Sequence, residues 1–350
     1  MKKNDYNAPR GTRLQPKNRF IGSFYEKCDE YEEQKKNQNT TFINDDSQSI
    51  ITYNDSPDIG YDASLNPYRG CEHGCVYCYA RPTHEYFGLS CGLDFETRIF
   101  VKNKAPELLK KEISSPNYKP SVLALSGVTD PYQPAEQQFN ITRRCLETLV
   151  QFRHPVCIVT KNALVLRDID LLKHLSKYNA VSVSISISTL DSKLKMILEP
   201  RTTPPEMRLD TVEKLSAAGI PTSVLVSPVI PGLTDHEIPM IIKAAAQAGA
   251  TAAFYSILRL PYGVADLFED WLQRWFPDRK EKILNRIRSL HNGKVYDPRF
   301  FRRLTGCGIW ADQIRRLFEV SCRKFNLKQR HIDLSCSEFK KVFPQQMNLF

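Results

Sequence analysis

The stretch CEHGCVYC, residues 71–78, places three cysteines within eight positions at the spacing C-x3-C-x2-C. A structural zinc site requires four ligands, usually in two well-separated pairs, whereas a thioredoxin-like redox pair requires only two cysteines. His73 is a candidate fourth zinc ligand, but it lies inside the loop and its side chain would have to fold back. Three thiolates on one loop favour a 4Fe–4S cluster bound by Cys71, Cys75 and Cys78, with the fourth iron open to a small ligand.

Around this loop, apolar β-branched runs alternate with amphipathic helical segments. The predicted strands are DASLN (62–66), SVLALS (121–126), VCIVT (156–160), VSVSISIS (181–188), PTSVLVS (221–227) and AAFYSIL (252–258), with RIFVK (98–102) as a shorter extra strand. Strands that are apolar almost throughout indicate a parallel sheet covered by helices. Six such units favour an α/β fold of the partial (β/α)6 TIM-like barrel type, and a doubly wound sheet is the alternative. In both folds the chemistry lies at the carboxyl ends of the strands.

The composition predicts four regions along the chain. Residues 1–60 are predicted to form a polar, weakly ordered extension, residues 61–262 the barrel, residues 263–345 a basic and mainly helical region, and residues 346–350 a separate tail. Residues 271–350 contain 18 Lys and Arg against 7 Asp and Glu, a net charge of +11, while the whole chain carries +10. A near-neutral body with a basic region indicates a polyanionic partner, and the alternative is that these charges lie on solvated helix faces.

The chain shows no run of about 20 apolar residues, so no membrane span is expected. Its basic amino terminus is not followed by the apolar segment of a secretory signal. We therefore expect a cytoplasmic protein, in which thiols stay reduced and cysteines act as ligands, reactive thiols or core residues rather than as disulfides.

The cysteine spacing, at the carboxyl end of a strand, resembles the cluster loop of the radical SAM superfamily. This resemblance covers residues 61–262 and implies an enzyme with a 4Fe–4S cluster, S-adenosylmethionine (SAM) and an external one-electron donor. Such enzymes cleave SAM reductively to a 5′-deoxyadenosyl radical, which abstracts a hydrogen atom from the substrate. The stretch NPYRGCEHGCVYCYARPTHEYFGLSCGLDFETRIFVK, residues 66–102, is similar to the spore photoproduct lyase-related group, and more to an uncharacterised bacterial subgroup than to the lyase itself.

The same resemblance implies which side chains contact SAM. The second strand ends in SGVTDPYQPAE, which departs from the usual form with two glycines and a glutamate, and its Ser126, Thr129 and Asp130 are assigned to the ammonium group. The remaining assignments are Ser186 or Ser188 to the ribose, Arg201 to the carboxylate, and Tyr77, Ile230 and Gly232 to the adenine. Ordinary turn or capping chemistry is the alternative for each polar residue.

Cys91 is the nearest candidate for the cysteine that the lyase uses as a hydrogen donor. It follows Cys78 by 13 residues, a placement that does not match that of the lyase. The alternative is a small surface cysteine in a loop.

The last residues, QQMNLF, suggest a partner. Gln346, Met347, Leu349 and Phe350 resemble the peptide with which bacterial DNA polymerases and repair proteins bind the sliding clamp, inserting Leu and Phe into an apolar pocket. The alternative is that Leu349 and Phe350 cover the protein's own core. With the basic region, this tail favours a nucleic-acid substrate, with lyase-like repair of a DNA lesion. The alternatives are radical SAM modification of RNA, protein or a small metabolite, and a non-catalytic iron–sulfur or zinc nucleic-acid-binding protein.

Overall fold

The computed structural model describes residues 10–21, 39–330 and 332–341. Within these ranges the strands are β1 Thr41–Asn44, β2 Ile51–Tyr53, β3 Ala63–Leu65, β4 Tyr68–Arg69, β5 Arg98–Val101, β6 Leu123–Leu125, β7 Val156–Thr160, β8 Val181–Ser186, β9 Thr222–Val229 and β10 Ala252–Ile257. The α-helices are α1 Leu93–Thr97, α2 Ala105–Ile113, α3 Glu136–Phe139, α4 Ile141–Phe152, α5 Ile169–Ser176, α6 Ser192–Leu198, α7 Pro205–Ala217, α8 Ile238–Gln247, α9 Val264–Trp275, α10 Lys280–Leu290 and α11 Ile309–Lys324. Short 3-10 helices cover Arg81–Phe87, Ala163–Asp168, Asp235–Glu237 and Pro277–Arg279.

The larger sheet has the strand order β10-β9-β8-β7-β6-β3-β2, in which β2 is antiparallel to β3 and all other neighbours are parallel. The six predicted parallel strands are therefore confirmed. Both faces of the sheet are covered, since the consecutive residues Leu123, Ala124 and Leu125 of β6 are all buried. Among the described residues the sheet stays open, with β2 and β10 as its edges, so the fold is a partial barrel as predicted.

A second, small sheet has the order β1-β5-β4 and contains the extra strand that the sequence predicted at 98–102. Its strand β1, and strand β2 of the larger sheet, both lie within residues 1–60, which the composition assigned to a weakly ordered extension. Strand β1 (TFIN) is held by parallel pairing with the distant β5, and β2 (ITY) pairs antiparallel with the nearby β3. Local composition does not reveal such pairing.

The carboxyl-terminal region is helical, as the spacing of its apolar residues predicts. Helix α9 buries Trp271, whose indole Nε1 donates to the carbonyl oxygen of Ile197 at 2.8 Å. Helix α11 packs on β10 through Phe318, whose ring centroid lies 4.8 Å from that of Tyr255. In the part of the chain that the structure describes, no helix is long and apolar enough to cross a membrane. The clamp-binding peptide predicted at residues 346–350 lies outside the described residues and stays a prediction.

Candidate cluster and cofactor site

The cysteine loop follows β3 and β4 at the carboxyl edge of the sheet. Backbone hydrogen bonds fold it back on itself, since Gly74 N donates to the carbonyl oxygen of Cys71 at 3.4 Å and Cys78 N to that of Cys75 at 3.2 Å. Cys71 and Cys75 are buried, and the partly exposed Cys78 packs against both apolar clusters to which they belong. The three cysteines therefore lie on one folded loop next to the same apolar clusters.

The thiols of this loop hold their protons more tightly than a free cysteine does. Burial raises the pKa of Cys71, Cys75 and Cys78, and their proximity raises the pKa of Cys71 further. Among the described residues, no group of three or more His, Cys, Asp or Glu side chains is arranged to hold a metal ion. A 4Fe–4S cluster makes a different demand, because each thiolate binds a different iron. Three thiols within eight residues of one loop fit that demand, and their protons would leave as the irons bind.

A buried ion pair supports the loop from beneath. Arg81 Nη2 lies 2.5 Å from Glu96 Oε1, and both side chains are fully buried. Arg81 also donates from Nε to the carbonyl oxygen of Cys75 at 2.9 Å, so the pair positions the central ligand of the loop. Glu96 accepts from Gly11 N at 2.8 Å, which fastens the amino-terminal segment, residues 10–21, over the loop. A Cβ on Gly11 would lie 1.6 Å from Gly74 O, so this crossing requires glycine.

A buried carboxylate, Glu199, lies at the centre of the predicted SAM contacts. It pairs with Arg208 Nη2 at 2.5 Å and with Lys161 Nζ at 3.1 Å. Ser188 Oγ donates to Glu199 Oε1 at 2.8 Å, and the Tyr77 hydroxyl donates to the same oxygen. Burial opposes ionisation here, but Arg208 and Lys161 hold the pKa of Glu199 well below its usual range. The group is therefore a carboxylate at neutral pH.

Lys161 directly follows β7 and its ammonium group lies near the mouth of the site. Its Nζ donates to Ser186 Oγ at 2.7 Å and to the carbonyl oxygen of Ser227 at 3.1 Å, and its side chain is 17% exposed. Glu199 and Asp130 supply two negative charges here beside the two positive charges of Lys161 and Arg208. Arg208 is buried, so Lys161 is the one of these two cations whose exposed part suits the carboxylate of a ligand.

Asp130 joins the ends of two strands to the cysteine loop. It accepts from Thr160 Oγ1 at 2.7 Å and from Lys161 N at 2.8 Å. Its Oδ2 also lies 3.4 Å from Nδ1 of His73. Thr129 is buried, and its hydroxyl donates to the main chain of β4 at 2.9 Å. Both side chains therefore make turn-stabilising hydrogen bonds where the ammonium group of SAM was predicted.

Ser126 follows β6 with φ of 141°, a conformation that L residues rarely adopt. Ser126→Gly is expected to raise the free energy of unfolding by about 1 kcal/mol, because glycine adopts this conformation without strain. Urea titration measures the change, with Ser126→Ala as the control that keeps the strain. Equal stability of the two variants would contradict this prediction.

Both variants also lack the hydroxyl group of Ser126. SAM titration of the same proteins therefore tests the predicted contact between this hydroxyl and the ammonium group of SAM.

The structure places Arg201 and the adenine residues in different surroundings. Arg201 Nη1 lies 3.2 Å from Glu72 Oε1, beside the cysteine loop. Ile230 is fully buried and shares an apolar cluster with Tyr77. Gly232 has φ of 80°, and a Cβ there would lie 2.6 Å from a guanidinium nitrogen of α10. Gly232 thus serves a turn and a close approach.

Cys91 is not the surface cysteine that the sequence offered as the alternative to a hydrogen donor. It is 1% exposed and belongs to the same apolar cluster as Cys75. A Cβ on Gly263 would lie 2.7 Å from its Sγ, so the loop after β10 covers it directly. Burial raises its pKa to about 11. Sequence reasoning could not foresee this covering, since it depends on a residue 172 positions away.

Comparison with known protein families identifies the family to which this site belongs. The Radical SAM superfamily matches residues 65–245. The chain belongs to the radical SAM superfamily. The predicted family is confirmed, and a 4Fe–4S cluster and SAM are the cofactors of this enzyme. Radical SAM enzymes also need an external electron donor.

Among known radical SAM relatives, an uncharacterised protein of Mycobacterium tuberculosis is 34% identical over 243 residues, which cover 69% of this chain and 70% of that protein. An uncharacterised protein of Methanocaldococcus jannaschii is 31% identical over 63% of this chain and 79% of its own length. In structure, the spore photoproduct lyase complexed with dinucleoside spore photoproduct is similar with a TM-score of 0.61 at 14% identity, over 83% of this chain and 81% of the lyase chain. That likeness concerns the fold alone.

The predicted residues of this radical SAM site fall into two groups. Tyr77, Ser186 and Ser188 converge on the ion pairs of Glu199, and the three cysteines lie on the adjoining loop. Sequence reasoning missed Glu199, and with it Lys161 and Arg208. A signal existed for Lys161, since a charged residue directly after the buried run VCIVT points to a strand's carboxyl end.

Proposed function

We propose that this radical SAM enzyme acts on nucleic acid, with lyase-like repair of a DNA base lesion as its reaction. The observation that carries the proposal is a cation at the edge of the cluster loop. Arg259, in the loop after β10, has its guanidinium carbon 4.1 Å from the ring centroid of Tyr79, which directly follows Cys78. A cation there suits a polyanionic substrate that reaches toward the cluster. The +11 charge of residues 271–350 and the fold shared with the lyase also support it.

In this proposal, Cys71, Cys75 and Cys78 hold the cluster. When bound, the cluster and SAM supply the 5′-deoxyadenosyl radical that abstracts hydrogen from the substrate. Lys161 joins Arg201 as a partner for the SAM carboxylate, because its ammonium group pairs with Glu199 while its side chain stays partly exposed.

The remaining contacts to SAM follow the family pattern. Ser126, Thr129 and Asp130 are assigned to the ammonium group, and Ser186 or Ser188 to the ribose. Ile230 and Gly232 are assigned to the adenine together with the ring of Tyr77, whose hydroxyl is engaged by Glu199. Cys91 remains the candidate hydrogen donor; its buried position means that the loop after β10 has to move before the thiol meets a substrate.

The nucleic-acid substrate is tested by the salt dependence of DNA binding. Each neutralised phosphate contributes about −0.9 to the slope of log affinity against log salt concentration, so several contacts should give a slope steeper than about −3. Fluorescence anisotropy of a labelled duplex with the anaerobic holoenzyme measures it. A flat response would remove nucleic acid from the proposal.

The lesion is tested by turnover rather than by affinity. Reduced holoenzyme is incubated with SAM and with DNA that has been irradiated with ultraviolet light, and loss of the photoproduct is followed by mass spectrometry. Unirradiated DNA is the control and should give no product. Turnover of RNA but not of irradiated DNA would assign the enzyme to RNA modification instead.

A further inference from the structure

Four side chains from three separate segments form a stack on the surface. The guanidinium carbon of Arg19 lies 3.7 Å from the ring centroid of Tyr262 and 4.8 Å from that of Phe20. The rings of Phe20 and Tyr86 stack in turn, with centroids 4.9 Å apart and planes inclined by 30°. We call Tyr262, Arg19, Phe20 and Tyr86 the aromatic stack. It joins the amino-terminal segment, the 3-10 helix after the cluster loop and the loop after β10.

The rings of this stack are unusually exposed for their size. Tyr86 is 71% exposed, Tyr262 61% and Phe20 56%. Large apolar rings are normally buried, and a contiguous group of exposed rings marks a surface that binds something. Tyr262 and Tyr86 lie at the two ends of the stack. Arg19 covers one face of the Tyr262 ring and Phe20 one face of the Tyr86 ring, so the opposite face of each ring is available to a ligand.

The stack is also held in place, so its rings are presented in fixed positions. Arg19 Nε lies 2.6 Å from Glu85 Oε2, a carboxylate whose side chain is only 1% exposed. The side-chain amide of Asn18 donates to the carbonyl oxygens of Glu85 and Leu89 at 2.7 and 2.9 Å. A platform fixed before binding loses little conformational freedom when a ligand settles on it.

The aromatic stack continues the row of arginine–aromatic pairs that begins at the cluster loop. The loop after β10 that carries Tyr262 also carries Arg259, which covers the ring of Tyr79 beside Cys78. At the other end, Tyr86 is followed by Phe87, whose ring centroid lies 4.8 Å from the guanidinium carbon of Arg69. Exposed rings and guanidinium groups therefore recur on the segments that flank the cluster loop and on the loop after β10.

Alternating aromatic rings and cations are the means by which proteins bind single-stranded nucleic acid. Bases stack on the rings, and arginine contacts both base planes and phosphates. A duplex cannot use such rings, because its base faces are already stacked on one another. We propose that the aromatic stack is a platform for the unpaired bases of a single-stranded or locally opened nucleic acid, whose adjoining nucleotide enters the cluster site. This inference rests on the nucleic-acid function proposed above.

The test compares Tyr86→Ala, Tyr262→Ala and the double variant with the wild-type holoenzyme. The probes are a fluorescein-labelled oligothymidylate and a duplex of the same length, titrated anaerobically at one salt concentration. Each single variant should weaken oligothymidylate binding by about 5- to 150-fold, the effect of losing one base–ring stack. Duplex affinity should change by less than twofold, and the salt slope should be unchanged because no charge is removed.

Tyr53→Ala is the matched control, because Tyr53 is 69% exposed on β2 and lies outside the stack. It should bind oligothymidylate as the wild type does, and Tyr86→Phe should restore binding because the ring is kept. Wild-type affinity in the double variant, with a steep salt slope retained, would overturn the platform while leaving the proposed function standing. A flat salt slope in the wild type would instead remove the nucleic-acid function itself. Loss of a protein partner with unchanged DNA affinity would also overturn the platform, by assigning the stack to a protein interface.

Discussion

Replacing Cys75 by alanine is expected to reduce formation of 5′-deoxyadenosine from SAM to the level of protein without iron. The reason is that three thiolates hold three irons, and Cys75 is the buried central ligand whose carbonyl is fixed by Arg81. With two cysteines left, the loop cannot retain a 4Fe–4S cluster. Iron content and the yield of 5′-deoxyadenosine after anaerobic reconstitution and reduction measure the loss.

Cys336→Ala is the matched control for this change, since Cys336 is a partly exposed cysteine far from the loop in sequence. It should keep wild-type iron content and wild-type yield. The unfolding transition of Cys75→Ala shows whether the variant is folded, so that loss of activity is not confused with loss of structure. A Cys75→Ala variant with full yield would contradict the assignment of the cluster loop.

The second large effect is expected in stability, on replacing Glu96 by alanine. This change leaves the guanidinium of Arg81 buried without its counter-charge, which typically costs about 3–5 kcal/mol. It also removes the acceptor of the main-chain N–H groups of Gly11 and Thr12, at 2.8 and 3.2 Å. We therefore expect a large fall in the free energy of unfolding and release of the amino-terminal segment. Urea titration measures the first, and limited proteolysis the second.

Glu107→Ala is the control for the Glu96 variant, because it breaks a glutamate–arginine pair of similar length at the surface. Its partner Arg144 lies 2.6 Å away, and the two side chains are 62% and 43% exposed. Exposed pairs are worth less than about 1 kcal/mol, so this variant should stay near wild-type stability. If the two variants lost the same free energy of unfolding, burial would not explain the contribution of the Glu96–Arg81 pair to stability.

The parallel sheet could be predicted closely from the sequence. Its strands are short, rich in β-branched residues and separated from the next by a helical segment, as VCIVT and VSVSISIS illustrate. The cofactor class could be predicted for a similar reason, because the three cysteines proposed to hold the cluster lie within eight consecutive residues. Both features are local, so they leave their full signature in a short stretch of chain.

The surroundings of the loop could not be predicted, because they depend on contacts between distant residues. Glu199 acquires its role only when Lys161 and Arg208 approach it from two other segments. Cys91 is buried because Gly263 lies on it, and Gly11 is required because it crosses Gly74. The spacing and periodicity of residues along the chain reveal neither the ion pairs of Glu199 nor the close contacts of Gly11 and Gly263.

The contacts of the amino-terminal segment also affect the order in which the chain folds. Gly11 is tied to Glu96 across 85 positions, and Arg13 reaches Asp270 across 257. On a ribosome the segment therefore emerges first but cannot dock until most of the chain has been made. The cysteine loop itself waits for Leu198, whose carbonyl oxygen accepts from Val76 N at 3.2 Å. Closure of the amino-terminal segment over this loop is therefore expected to be a late step of folding.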